Sequence, residues 1–145
     1  ASSQGKEEAA SANNHSVAYD AQIIAFALYT GNKKLAQEII NDFPQKRIFP
    51  QIAPDGRQPH ELQRTLAFHY SQYNLTHFID IMLMAKNLGI KLDDITSTDG
   101  RNFYKAMDFL ASYVGKGLSE WPYQQIRGWA RYRISAKTST VLPST

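Results

Sequence analysis

Cysteine is absent from the chain. Disulfide staples and thiolate metal sites are therefore excluded. Long hydrophobic runs are absent too. A membrane-spanning helix needs roughly 18–20 apolar residues, and the longest run here, Ile23 to Tyr29, suits a packed helix instead. No membrane insertion is expected. Alternating apolar and polar residues do not persist anywhere, so strands are not expected. The His-Glu-x-x-His string of metal-dependent hydrolases is missing, because His60-Glu61 lacks its second histidine. No metal and no cofactor are expected. Charge of one sign is in slight excess only: Lys and Arg number 16 against 13 Asp and Glu, a net +3. That surplus favours an anionic partner. With no recognised nucleic-acid module beside it, the surplus does not suggest a nucleic-acid binder. No leader pattern is visible at Ala1.

What remains is ordinary for one soluble globular domain of 145 residues. Residues 1–12 are small and polar and read as a frayed helix end or loose tail. Helical spacing begins after Asn13-Asn14-His15-Ser16, with Ala18, Ala21, Gln22, Ala25, Leu28 and Tyr29 at steps of three and four, and Gly31 supplies a stop. A second helix is predicted from Lys33 to Asp42, ended by Pro44. Residues 43–58 carry three prolines and a Pro-Asp-Gly turn, which predicts an irregular stretch. Its length marks it as functional, and Ile48, Phe49 and Ile52 argue against disorder. Pro59 suits the first turn of a helix carrying Glu61 to Arg64. Further helices are predicted over Tyr73 to Leu88 and Arg101 to Val114. An aromatic-rich segment from Leu118 to about Lys137 follows, then a loose tail, residues 138–145. The reading is an all-α single domain over 1–145, built of helical hairpins that stack as in a toroid or solenoid.

Two strings carry chemistry. One is Asn13-Asn14-His15-Ser16. The other runs from Glu61 to Tyr70 and contains Arg64, His69 and Tyr70. Asn14, His15, Arg64 and Tyr70 supply an amide, an imidazole, a guanidinium and a phenol. These are the groups needed to draw a proton from beside a carboxylate and to expel a sugar oxygen. Six positions separate Arg64 from Tyr70, which is not a one-face helical spacing, so a bend between them is required.

Both strings, with Gln51-Ile52-Ala53-Pro54-Asp55-Gly56-Arg57-Gln58-Pro59-His60, Phe68-His69-Tyr70-Ser71-Gln72-Tyr73-Asn74-Leu75, Asp99-Gly100-Arg101 and Ala106-Met107-Asp108-Phe109-Leu110, resemble the alginate lyase family of polysaccharide lyases. The similarity covers roughly residues 10–125. It implies an incomplete (α/α) toroid, of which this chain resembles the C-terminal portion, with an N-terminal half of the domain as its partner. It also implies a periplasmic or secreted protein that cleaves an anionic polysaccharide, alginate (polymannuronate) or glucuronan, by β-elimination. The spacing from arginine to tyrosine is one residue shorter than in the mannuronate-specific members, which keeps glucuronan-type substrates in view. On that reading Asn14 and Arg64 neutralise the uronate carboxylate so that C5 becomes acidic enough. His15 acts as base or holds the carboxylate, and Tyr70 shuttles the proton. A guanidinium nearby favours a phenol's anionic form. Tyr19, Gln22, Gln51, Gln58, His69 and Trp121 are expected sugar contacts. Trp121, Tyr123, Trp129 and Tyr132 either stack on sugar rings, with Arg127, Arg131 and Arg133 beside them for carboxylates, or form core with a solvated arginine face.

Each residue also has a plainer reading. Asn14 and Ser16 are good helix caps, Arg64 can be a surface arginine, and Tyr70 a core tyrosine. His60 and His77 read as structural or surface residues. Two alternatives to the lyase stand. One is a non-catalytic uronate-binding module or inactive fragment of such a lyase. The other is a glycoside hydrolase, which needs two carboxylates flanking the bond, with Asp20, Asp55 and Glu61 as the available acids.

Overall fold

A computed structural model describes residues 2–132. Among them the elements are helical, joined by a single isolated bridge between Leu66 and Gln125. The seven α-helices are α1 (Ser3–Ala10), α2 (Asn14–Tyr29), α3 (Lys33–Phe43), α4 (Phe49–Gln51), α5 (Pro59–Leu62), α6 (Ala67–Asn87) and α7 (Phe103–Ala111). A 3₁₀ turn follows at Leu118–Glu120.

The first correction is at the start. Residues expected to be loose contain α1, capped by Ser2, whose hydroxyl accepts from the Gly5 N–H at 3.1 Å. The helix lies against α2 with Gly5 facing Tyr19. The polar composition misleads because α1 buries no residue of its own. A tertiary bond, described below, holds it instead. The expected tail at 138–145 lies outside the described residues.

The second correction is at Pro44, which does not end the helical path. A π-helical turn runs from Pro44 to Ile48 and leads straight into α4. Proline has no N–H to give and crowds the preceding turn. A wider turn, closed by the Phe49 N–H on the Pro44 carbonyl, relieves both problems. The third difference is that α6 begins at Ala67 rather than Tyr73, which puts Tyr70 in its first turn. Helix α7 is shorter than expected, ending at Ala111.

Helices α2 and α6 pack together at the centre, with α1 and α3 on α2 and α7 on α6. Val17, Ile24, Ile40, Phe43, Phe78 and Ile81 are buried between them, and Phe43 meets Phe78 edge to face at 5.3 Å. At roughly 1.5–3 kcal/mol per buried large side chain, this apolar set holds the helices together. A second aromatic cluster centres on Phe68, whose ring lies 5.2 Å from Trp121, 5.4 Å from Trp129 and 4.2 Å from Tyr132. It locks the segment after α7 onto the start of α6.

The loop between α4 and α5 is tied down by its own turns and by α7. The Ala53 N–H donates to the Arg57 carbonyl at 2.8 Å, and Lys105 Nζ donates to the Pro54 carbonyl at 3.2 Å. Gly56 sits at φ +89°, and a Cβ there would overlap the Lys105 carbonyl group. Gly56→Ala is therefore expected to cost at least about 2 kcal/mol, from left-handed backbone strain plus the overlap. A urea denaturation midpoint unchanged from wild type would refute this.

Candidate active site

The two chemistry-bearing strings meet through Glu61. Its carboxylate accepts from the Asn14 backbone N–H at 2.6 Å and from Asn14 Nδ2 at 2.9 Å. Glu61 is 1% exposed and Asn14 3%. Asn13 caps α2, its side chain accepting from the His15 N–H at 3.1 Å. A bare helix N-terminus leaves N–H groups orphaned. Asn13 and Glu61 take two of them here, and Glu61 also fixes how the Asn14 amide is turned.

His15 emerges on the surface from this anchored turn, 54% exposed, with Nδ1 3.2 Å from the Glu8 carboxylate on α1. A carboxylate at Nδ1 favours the tautomer with its proton there, which leaves Nε2 with a free lone pair to accept a proton. Glu8 was not anticipated from the sequence. It stands seven positions before His15, a same-face spacing that is hidden because α1 and α2 are separate helices.

The bend required between Arg64 and Tyr70 is present. Helix α5 stops at Leu62 and α6 starts at Ala67. The intervening turn folds Arg64 back over Tyr70, its guanidinium carbon 3.9 Å from the ring centroid. This is a cation–π contact, and it puts a fixed positive charge on the face of the phenol. His69 lies beside them, its ring 5.4 Å from Tyr70 and stacked 6.2 Å from Tyr73.

The expected sugar contacts divide. Tyr19 and Gln22 follow His15 by four and seven positions on α2, so they share its face; Gln22 is exposed and Tyr19 half-buried. Gln51 and Gln58 lie beneath the site, not on its surface, at 4% and 2% exposure. Gln51 Nε2 donates to Ser16 Oγ at 3.1 Å, and Asn74 Nδ2 donates to both Gln51 Oε1 and Gln58 Oε1 at 3.0 Å. Gln58 Nε2 donates to the Ser71 carbonyl. This amide network ties α2, α4 and α6 under the site, since buried polar groups must find partners. Trp121 is also interior, part of the Phe68 cluster, with its indole N–H directed to the Gln124 carbonyl. Those three side chains, expected at the sugar, are turned inward. Trp129 and Tyr132 are core too.

The acids that hydrolysis would need are otherwise engaged. Asp20 is buried in an ion pair with Arg47, Glu61 holds Asn14, and Asp55 pairs with Arg57 on the surface. No two of them stand ready on either side of a glycosidic bond. Among the described residues, no group of three or more His, Cys, Asp or Glu is placed to hold a metal ion, and no helix is long and apolar enough to cross a membrane.

Comparison with known proteins agrees with this helical fold. The alginate lyase family model matches residues 1–121. The chain belongs to the alginate lyase family. Among solved structures it is similar to an alginate lyase from Bacteroides ovatus, a 1.60 Å crystal structure, with 45% identity and a TM-score of 0.89. That alignment covers 97% of this chain and 39% of the other, so the chain spans well under half of that relative's length. No curated protein matches the chain.

Proposed function

We propose that this chain carries the catalytic centre of a polysaccharide lyase acting on an anionic polyuronate, built as one arc of an (α/α) toroid. The observation that supports the reading is the Glu61 clamp on Asn14, which ties the Asn-His string to the segment that goes on to Arg64 and Tyr70. Asn14 and Arg64 donate to the uronate carboxylate and stabilise the charge that develops as C5 loses its proton. Tyr70, or His15 through Nε2, takes that proton. The C5–H electrons become the C4–C5 double bond, the C4–O4 bond breaks, and Tyr70 returns a proton to O4. One base serving both steps requires C5–H and O4 on one face of the sugar. When they lie on opposite faces, His15 is base and Tyr70 acid.

The test is absorbance at the unsaturated-uronate band with polymannuronate, polyguluronate and glucuronan in turn. A rise on one polymer establishes the lyase and names its substrate. Silence from the full-length protein on all three sinks the reading. The surface pair on His15 yields a further expectation. Glu8→Ala should lower kcat/KM about tenfold, less than the loss of an acid–base group itself, because Glu8 only orients His15 and the pair is solvent-exposed. Initial rates against wild type at one pH check it, and an unchanged rate would remove Glu8 from the site.

A further inference from the structure

A separate pocket of about 330 Å³ opens beside the start of α6, lined by His69, Gln125, Arg127, Gly128, Arg131 and Tyr132 together with Leu66. Three basic side chains point to it and no carboxylate lines it. Among the described residues, neither Arg127 nor Arg131 forms a salt bridge. Residues 133–145 contain no Asp or Glu.

The pocket is built rather than incidental. Gln125 is 6% exposed, and its Oε1 accepts from the Phe68 N–H at 3.1 Å and the His69 N–H at 3.4 Å. Its Nε2 donates to the Arg127 carbonyl at 2.9 Å. The Ile126 N–H donates to the Thr65 carbonyl, and the Ala67 N–H to the Gln124 carbonyl. The arginine-bearing turn is thus fastened to the backbone that carries Arg64 and Tyr70. Gly128, at φ +81°, turns the chain so that Arg131 folds back over it.

His69 links this pocket to the reacting centre, since it lines the one and its ring lies 5.4 Å from Tyr70. A polyuronate carries one carboxylate on every sugar. When one carboxylate is held at Asn14 and Arg64, the next along the chain needs its own positive partner. Arginine forks match carboxylates in two-point geometry, and a cleft lined by one sign of charge concentrates the opposite sign. We infer that Arg127 and Arg131 form a second carboxylate subsite, holding the uronate residue adjacent to the one that loses its C5 proton. This inference rests on the polyuronate reading above and adds a specificity determinant to it. The subsite makes the protein select chains charged on consecutive sugars.

The test uses the full-length protein in a Tyr70→Phe background, so that substrate binds without turnover. Calorimetric affinity is measured for hexasaccharides of mannuronate and of glucuronate, and for their carboxyl-reduced, neutral counterparts. Arg127→Gln with Arg131→Gln should weaken the better-bound charged hexasaccharide about tenfold, the scale of one exposed charge-assisted contact. It should leave the neutral counterpart's affinity unchanged, and Arg127→Lys with Arg131→Lys should retain part of the affinity. In the active protein the same change should fall on KM. Equal affinity of wild type and the Gln/Gln variant for the charged hexasaccharides overturns the subsite, even if the wild type proves to be a lyase. An arginine-dependent affinity without any unsaturated product would keep the subsite and reject the lyase. Absence of binding to both charged series overturns the subsite.

Discussion

Tyr70→Phe is expected to lower the rate of unsaturated-product formation by about 10²–10⁴-fold, the range for removing a positioned acid–base group. The geometry behind this is specific. Tyr70 is half-buried in the first turn of α6, and Arg64 is folded over its ring at 3.9 Å. Phenylalanine keeps the ring, the cation–π contact and the packing against His69, and removes only the oxygen. The thermal midpoint should therefore stay within a degree or two of wild type while the absorbance change disappears. Affinity for the polymer should persist, because Asn14 and Arg64, the side chains proposed to hold the carboxylate, are untouched. Arg64→Lys is the companion measurement. It keeps one positive charge and loses the planar fork that both stacks on Tyr70 and matches a carboxylate. A Tyr70→Phe protein that turns over polymer at the wild-type rate would remove Tyr70 from the chemistry.

Arg47→Ala is expected to destabilise the fold by about 3–5 kcal/mol, because it leaves a buried carboxylate without its counter-charge. Arg47 is 4% exposed and Asp20 6%. Arg47 Nε donates to Asp20 Oδ2 at 2.7 Å, and Nη2 donates to Asp20 Oδ1 at 3.3 Å and to the Ala9 carbonyl at 2.7 Å. One guanidinium thus joins the π-helical turn to α2 and to the end of α1. Replacing both partners by apolar residues, Arg47→Met with Asp20→Leu, should cost less than Arg47→Ala alone, since no orphaned charge remains. Urea denaturation of the three proteins separates these outcomes, and a single variant as stable as the double would refute the buried-charge account. Loss of the Ala9 contact should also loosen α1, which carries Glu8 to His15, so activity should fall further than Glu8→Ala predicts.

The same residues show where local reading stops. The stops at Gly31 and Gly89 follow from positive φ, at 81° and 74°, which glycine adopts without strain. The cap of α2 falls on Asn13, one residue before the Asn14 read as a cap, and that of α3 on Asn32, each a short polar side chain that reaches into the first turn. These are effects within a few residues, and they are legible in sequence. Pro44 is different. It would end an ordinary helix, and whether the chain breaks or widens depends on the burial of Ile48 and Arg47 beyond it. The six-residue step from Arg64 to Tyr70 demands a bend, yet nothing local says that the bend stacks one side chain on the other.

The sequence by itself determined an all-α chain, the helix ends at Gly31 and Gly89, and two strings that bring an amide, an imidazole, a guanidinium and a phenol. Only the tertiary structure decided which side chains reach it. Gln51, Gln58 and Trp121 turn inward because partners far along the chain satisfy or cover them. Glu8 turns outward onto His15 because Arg47, distant in sequence, fastens α1. Glu61 joins the two strings from 47 residues away. Burial and long-range hydrogen bonds are properties of neighbours in space, and periodicity along a chain records only which face a residue occupies, not what that face meets.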